Sequence, residues 1–242
     1  MVIVHHLNES RSQHILWLLE ELQLPYEIKQ YARDPQTRLA PPALKAVHPL
    51  GKSPVITDDG KVITESGAII DYVIRRHGAG RLQPDPSSAV FDEYMQWMHY
   101  AEGSAMLPLL LKSNISRLAR SGGGPLSPRI ESEIDNHLGY INASLEGRDY
   151  LLGEALTGAD IQLSFVGELA DSGLIAPSIP ISTRGSGVSR HALPTRPPSR
   201  EAAPTASRRR PRDQNLRTAI HCHPVTCAPD GVLCRLLINP IP

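Results

Sequence analysis

The first part of the chain combines short apolar runs with one amphipathic helical pattern. Residues 2–4 are apolar, and residues 12–22 carry leucines and an isoleucine at helical spacing. This pattern predicts a short buried strand followed by a helix. Residues 26–30 alternate between apolar and polar side chains, as a second strand does. A strand, a helix and a strand in this order predict a βαβ unit with parallel strands.

A hairpin signal follows a proline-rich stretch that holds a weak helical pattern at 42–47. Two apolar runs flank Asp59-Gly60, a dipeptide typical of a tight turn between antiparallel strands. Pro54 opens the first of these strands, where a missing N–H is tolerated, and its peptide bond is a candidate for the cis form. A helix is predicted over 65–76. The order βαβ, α, ββα is the thioredoxin-like topology.

Beyond residue 88 the hydrophobic period is helical throughout. Apolar side chains recur at helical spacing over 89–111 and again over 128–145, with a glycine-rich break between them. Thr157 and Asp160 stand at the spacing of a capping box, just ahead of another apolar run. These patterns predict an all-helical second domain.

The composition changes abruptly after residue 180. Residues 181–242 contain ten arginines, nine prolines and three acidic residues, with no lysine, phenylalanine, tyrosine or tryptophan. Such a segment buries too little apolar surface to offset its chain entropy, so we predict that it is disordered. Its arginine run at 207–212 is interpreted as solvated low-complexity sequence in preference to a nucleic-acid or nuclear-targeting patch. The predicted organisation is an α/β thioredoxin-like domain at 1–78, an all-α domain at 88–178 and a disordered tail at 181–242.

Composition and charge exclude several classes of protein. The 242 residues are 40% hydrophobic and carry a formal net charge of zero, which gives no reason to expect a nucleic-acid or membrane partner. No apolar run is long enough to span a bilayer, and the N-terminus lacks the regions of a signal peptide. We therefore predict a cytoplasmic protein.

Metal binding and protein thiol chemistry are not predicted. His5 and His6 point to opposite faces of a strand and cannot easily share one ion. A denser group of histidines and cysteines at 221–227 has irregular spacing and remains a weak zinc hypothesis. The first 221 residues contain no cysteine, so a thiol that reacts in either domain must come from a ligand.

Five short motifs occur in a fixed order along residues 1–176. They read HHLNESRS at 5–12, LLEEL at 18–22, HPLGKSP at 48–54, TES at 64–66 and LTGAD at 156–160. In this order they resemble the soluble glutathione transferases, especially their fungal and bacterial branches. The resemblance implies glutathione as co-substrate with no other cofactor, a homodimer and a role in detoxification. It ends where the family normally continues with one or two further helices and this chain has its atypical tail.

The resemblance also implies a binding site for glutathione. Ser66 and its N–H would bind the γ-glutamyl carboxylate, and Glu65 would support the ammonium group. The backbone of Ser53, just before Pro54, would pair with the cysteinyl part, and Lys52 would bind the glycine carboxylate. Each residue has a simpler alternative: Lys52 as an exposed loop lysine, Ser66 as a helix cap and Pro54 as a strand boundary.

Activation of the glutathione thiol is expected from the loop at 8–12. The candidates are Ser10, Asn8, Arg11 and Ser12, of which Ser10 is favoured; the alternative is that Ser10 or Ser12 only caps the helix. The loop contains no tyrosine, so the tyrosine-dependent classes of the family are not expected.

The leading predicted function is conjugation of the glutathione thiolate to a small apolar electrophile. The electrophile is expected near Met98, Met106 and Leu109, between the two domains. Two alternatives remain open: a glutathione-dependent reductase of disulfides or peroxides, and a non-catalytic protein that binds glutathione or a partner.

Overall fold

The computed structural model describes residues 1–118 and 126–172, which belong to one compact unit. The predicted break at 121–125, the tail at 181–242 and the histidine–cysteine group at 221–227 lie outside these ranges. The elements are β1 (Val2–Leu7), α1 (Ser12–Glu21), β2 (Tyr26–Tyr31), α2 (Pro42–Lys45), β3 (Val55–Asp58), β4 (Lys61–Thr64), α3 (Ser66–His77), α4 (Phe91–Tyr100), a π-helical segment (Ala101–Ala105), α5 (Met106–Leu118), α6 (Ser127–Ser144) and α7 (Gly158–Asp171).

The four strands form one mixed sheet in the order β2-β1-β3-β4. β1 and β2 are parallel, as the βαβ pattern predicts. β3 runs antiparallel to both β1 and β4. Val2 and Val4 of β1 lie in the main core with apolar side chains of α1 and α3. Leu7 and Tyr31 instead pack with Leu44 of α2 in a second cluster. The order and directions of the strands confirm the thioredoxin-like prediction.

The hairpin between β3 and β4 turns at the predicted dipeptide. Asp59 and Gly60 both have positive φ, 47° and 77°, as a type I′ turn requires. The peptide bond between Ser53 and Pro54 is cis. The loop before β3 and the start of α3 are therefore held at neighbouring ends of one tight hairpin.

The long helix predicted over 89–111 is interrupted, so that prediction was wrong in detail. α4 ends at Tyr100, a π-helical segment spans Ala101–Ala105, and α5 then continues to Leu118. Pro108 offers a physical reason, because it has no N–H to donate to residue 104 and its ring crowds that carbonyl. A wider turn just before the proline accommodates the loss. Glu102 and Gly103 lie in this widened turn.

The start of α7 has the predicted capping box. The Thr157 N–H and hydroxyl both donate to Oδ2 of Asp160, at 2.8 and 2.7 Å. Oδ1 of the same carboxylate accepts the N–H of Leu151 at 2.8 Å. Gly158 follows in very close contact, because a Cβ there would lie 2.7 Å from Ile74 and 2.8 Å from the Tyr94 hydroxyl. The box thus starts α7 at the point where Gly158 packs against α3 and α4.

The two predicted domains share one core in the described part of the chain. Side chains of β1, α1, α3, α4 and α7 all belong to the main core cluster, and the ring of His14 in α1 packs edge-on against Phe165 in α7. The predicted bounds of the domains, 1–78 and 88–178, stay a prediction. None of the helices in the described ranges has the length and apolarity to cross a bilayer.

Candidate active site

The residues predicted to bind glutathione all line one cleft, called here the first cleft, with a volume of about 860 Å³. Lys52, Ser53 and Pro54 come from the loop before β3, and Glu65 and Ser66 from the start of α3. The opposite wall is formed by α4 and the π-helical segment. The side chains of this wall that line the cleft are those of Tyr94, Met95, Met98, His99 and Glu102.

The start of α3 has the features of an anion site. Ser66 is 5% exposed, and the first N–H groups of a helix have no partner within the helix. The same end carries the positive pole of the helix dipole. Glu65 precedes it with φ 67° and ψ 123°, a conformation that costs a non-glycine residue free energy. Ser66 and Glu65 therefore present an anion-binding end and a carboxylate side by side.

A second cleft of about 690 Å³ adjoins the first and shares Arg11, Leu50, Lys52 and Ser53 with it. Its apolar wall comes from α5 and α7, through Leu110, Phe165 and Leu169. Its cationic lining residues are Arg11, Arg33, Arg38, Lys45 and Lys52. Glu9, Ser10 and Arg11 of the loop before α1 also line it.

Ser10 is the hydroxyl of this loop that borders both the second cleft and Ser53. Ser10 is 6% exposed, and its Oγ donates to the Leu7 carbonyl at 2.7 Å. The same Oγ lies 3.2 Å from Ser53 Oγ, and Ser53 in turn donates to the His5 carbonyl at 3.1 Å. Ser10 is thus beside the residue predicted to hold the cysteinyl part of glutathione.

The other three thiol-activating candidates have different environments. Arg11 lines both clefts, donates through Nε to Glu102 at 2.5 Å and has its guanidinium carbon 5.2 Å from the Phe165 ring centre. The Asn8 side-chain oxygen accepts the Arg33 N–H at 2.8 Å. Ser12 is 0% exposed. The structure therefore brings Ser10 and Arg11 to the clefts, whereas Asn8 is bound to Arg33 and Ser12 is buried.

The capping alternative has a matching contact for Ser10 and none for Ser12. Arg11 occupies the N-cap position of α1 and makes no side-chain cap hydrogen bond. Ser12 is the first residue of the helix and does not cap it. Ser10 Oγ accepts the Ser12 N–H at 3.3 Å, which is the contact that a capping side chain makes. The assignment of catalytic and glutathione-binding residues nevertheless stays a prediction.

The predicted position of the electrophile needs a correction. Met98 lines the first cleft, but Met106 and Leu109 are each 1% exposed within the core. Their place on the helix differs from the prediction because the π-helical segment shifts the register of α5 relative to α4. The apolar side chains that line the second cleft from α5 and α7 are those of Leu110, Phe165 and Leu169.

Sequence reasoning missed Glu102, the partner of Arg11. The two residues are 91 positions apart, and no local pattern links them. The only signal was the pair of helix-disfavouring residues Gly103 and Pro108, which mark a disturbed helix beside Glu102.

The histidines below the loop are neutral at neutral pH. Burial lowers the pKa of His6. Burial, assisted by the charge of Arg11, lowers the pKa of His14 to about 3. Within the ranges 1–118 and 126–172, no three His, Cys, Asp or Glu side chains come together as a metal site requires.

Comparisons with known proteins agree with this geometry. Residues 10–76 match a family model described as "Glutathione S-transferase, N-terminal domain". Glutathione S-transferase 3 of Schizosaccharomyces pombe is 36% identical over 178 residues, which cover 68% of this chain and 72% of that protein. A solved glutathione S-transferase from Actinobacillus pleuropneumoniae superposes with a TM-score of 0.65 at 34% identity, covering 71% of this chain and 79% of its own. A glutathione transferase family member from Pseudomonas fluorescens, solved with two glutathione bound, has a TM-score of 0.60 at 26% identity, over 70% of this chain and 77% of its own.

Proposed function

Because the chain belongs to the glutathione S-transferase family, we propose that it binds glutathione in the first cleft and transfers the thiolate to a small electrophile in the second. The observation that carries the proposal is the convergence of five predicted residues on one cleft. Lys52, Ser53, Pro54, Glu65 and Ser66 come from two separate segments and line the same volume. The relative from P. fluorescens, solved with two glutathione bound, supports the choice of ligand.

Each end of the tripeptide has a complementary group in the first cleft. The γ-glutamyl carboxylate would accept hydrogen bonds from Ser66 and the N–H groups that begin α3, and its ammonium would bind the Glu65 carboxylate. The cysteinyl part would lie along the backbone of Ser53, as an added strand does at an open edge. The glycine carboxylate would reach the exposed Lys52.

Ser10 is the residue that we propose stabilises the thiolate. Its hydroxyl lies 3.2 Å from Ser53 Oγ, so a cysteinyl group held at Ser53 places its sulfur near Ser10. Its position at the start of α1 adds the positive end of that helix. Arg11 is the second choice, because its guanidinium lines both clefts but is already paired with Glu102.

The electrophile would occupy the second cleft, against Leu110, Phe165 and Leu169. An apolar wall beside a thiolate suits conjugation of small apolar electrophiles. Two further expectations, a homodimer from the family resemblance and a cytoplasmic location from the sequence, stay predictions. Sedimentation analysis of the purified chain checks the first of them.

Binding and turnover assays test the proposed function. The full chain should be retained on immobilised glutathione and should turn over 1-chloro-2,4-dinitrobenzene. Retention with turnover of a small disulfide alone would instead indicate the reductase. Retention with neither activity would indicate a non-catalytic glutathione-binding protein, and no retention would contradict all three functions.

A matched pair of serine variants locates the glutathione site. Ser66→Ala should weaken glutathione binding about 10- to 100-fold, because a hydrogen bond to a charged group is lost. Ser132→Ala, an exposed position on α6, should leave the dissociation constant unchanged. Titration calorimetry measures both. Equal affinities for the two variants would contradict the first cleft as the binding site.

A further inference from the structure

Two serines of the loop at 8–12 and the side chain of His6 form a continuous series of short contacts. Ser10 Oγ lies 2.7 Å from the Leu7 carbonyl oxygen and 2.8 Å from Ser12 Oγ. Ser12 Oγ lies 2.8 Å from Nδ1 of His6. Ser12 is 0% exposed, so water does not compete for its hydroxyl. The series ends at the hydroxyl that we assign to thiol activation.

The number of protons determines the direction of these hydrogen bonds. Each contact is short enough to need a proton between its two atoms, because bare lone pairs repel at such distances. The Leu7 carbonyl has no proton, so Ser10 donates to it. Ser12 must then donate to Ser10, and the third contact requires an N–H on Nδ1 of His6.

A network in the opposite direction, with no proton on Nδ1 of His6, has too few protons for the three short contacts. If Nδ1 of His6 were bare, two hydroxyl protons would have to fill three contacts. One short O···O contact, at Ser10, would then contain no hydrogen. The longer contacts of these hydroxyls, 3.2 Å from Ser10 to Ser53 and 3.4 Å from Ser12 to Leu7, exceed the usual range for an O–H donor and need no proton.

The environment of His6 is consistent with one N–H on its ring. The side chain is half-buried in β1, and burial lowers its pKa. A neutral imidazole carries a single N–H, and the contacts above place it on Nδ1. Protonation at acidic pH would add a proton to Nε2 and leave the direction of the network unchanged.

We propose that His6 and Ser12 are positioning residues for thiol activation. The Nδ1–H of His6 orients the Ser12 hydroxyl, and Ser12 orients Ser10 as a hydrogen-bond donor toward the glutathione sulfur. This inference rests on the role proposed above for Ser10, and it adds two residues that never touch the ligand.

The network also determines what Ser10 can do. Its Oγ accepts the Ser12 hydroxyl and, at 3.3 Å, the Ser12 backbone N–H, so both lone pairs are engaged. Ser10 therefore does not act as the base for the thiol. The thiol proton passes to solvent and Ser10 keeps its own proton, which it donates to the thiolate in place of the Leu7 carbonyl. Ser10 Oγ then moves away from that carbonyl, because a 2.7 Å contact without a proton is repulsive. A hydroxyl that accepts hydrogen bonds is polarised and becomes a better donor.

Variants of His6 and Ser12 test the proposal through the ionisation of bound glutathione. The thiolate absorbs in the ultraviolet, so a pH titration of the complex gives the thiol pKa. His6→Leu and Ser12→Ala should each raise this pKa and lower kcat/KM for 1-chloro-2,4-dinitrobenzene about 3- to 10-fold below neutral pH. The dissociation constant for glutathione should change less than about twofold, because neither side chain contacts the ligand.

The conservative variant separates positioning from packing. His6→Asn places an amide N–H near the position of Nδ1 and should restore most of the lost activity and the low thiol pKa. Similar behaviour of His6→Asn and His6→Leu would contradict the proposal. If His6→Leu folds poorly, as a thermal melt would show, Ser12→Ala makes the same comparison.

A fourth variant distinguishes failure of this inference from failure of the proposed function. If Ser10→Ala raises the thiol pKa and Ser12→Ala does not, the positioning network is wrong and the role of Ser10 stands. If Ser10→Ala leaves the thiol pKa unchanged, the proposed role of Ser10 is itself wrong, and this inference falls with it.

Discussion

Glu65 has a strained backbone directly beside the proposed glutathione site. Its φ of 67° and ψ of 123° cost a non-glycine residue about 1–3 kcal/mol. Glycine adopts positive φ without this penalty but loses more chain entropy on folding. We predict that Glu65→Gly raises the free energy of unfolding by about 1 kcal/mol and weakens glutathione binding at least tenfold. Urea denaturation and titration calorimetry measure the two effects.

Glu65→Gln is the control for this prediction. It keeps the strained backbone and removes the charge, so its stability should match that of the natural chain while its affinity falls. A Glu65→Gly protein that unfolds more easily than the natural chain would show that the conformation is not strained.

Local patterns predicted some residues of the site and not others. Glu65 and Ser66 could be predicted because a helix start follows directly from the hairpin, and both features are local. Ser10 was favoured as a hydroxyl in the loop before α1, after the family resemblance had implied a glutathione thiol. Glu102 could not be predicted, because its contact with Arg11 joins two segments 91 residues apart and depends on a helical register that the π-helical segment alters.

At the scale of elements, the buried carboxylate of Asp58 ties the end of β3 to the end of α3. Its side chain is 1% exposed and lies 2.8 Å from His77 Nε2 and 3.4 Å from the N-terminal ammonium. Burial opposes ionisation, but hydrogen bonds from His77, Tyr72 and the N-terminus outweigh it and hold the pKa of Asp58 below its usual value. A carboxyl with a lowered pKa stabilises the fold above its unfolded-state pKa, and this stability is lost as the pH falls through the folded-state pKa.

We therefore predict a pH-dependent effect of Asp58→Asn. The variant should lose about 1–3 kcal/mol of unfolding free energy at neutral pH, and its difference from the natural chain should shrink below about pH 4. Denaturant titrations at several pH values measure this. Glu27→Gln, at an exposed position of β2, should show no such dependence. A difference that stays constant down to pH 3 would contradict the prediction.

The capping box is a second link between elements that can be tested. Asp160 accepts three hydrogen bonds in a fully buried position. In Asp160→Asn, the amide nitrogen would face at least one buried donor. We predict a loss of about 2–4 kcal/mol of unfolding free energy with an unchanged denaturant dependence. Asp171→Asn, at the exposed end of the same helix, should change stability by less than about 0.5 kcal/mol.

The sequence predicted elements well where the signal was local. The Asp59-Gly60 turn, the parallel βαβ unit and the Thr157–Asp160 box each depend on residues within one or two elements. The interruption between α4 and α5 was missed because an apolar helical period continues through it, and only Pro108 and Gly103 depart from that period. Periodicity thus identified the helices but not the widened turn between them.

At the scale of the whole molecule, the second cleft combines an apolar wall with an excess of positive charge. Five cationic side chains and one acidic side chain, that of Glu9, line it. Glu9 pairs with Arg38, and Glu102 of the first cleft pairs with Arg11. If Lys52 binds the glycine carboxylate of glutathione, the positive charge of Lys45, which is exposed at the end of α2, would face the electrophile. The net charge of zero for the whole chain gave no indication of this local excess of positive charge in the second cleft.

We predict that the proposed transferase activity prefers electrophiles with a carboxylate. Relative to each uncatalysed rate, kcat/KM should be higher for 4-chloro-3-nitrobenzoate than for 1-chloro-2,4-dinitrobenzene, and the preference should shrink at high salt because ions screen the cleft. Lys45→Gln should reduce the preference about 3- to 10-fold at low salt. Lys61→Gln, an exposed lysine of β4 that lines neither cleft, should leave it unchanged. A preference that is the same at low and high salt would show that apolar contacts alone select the electrophile.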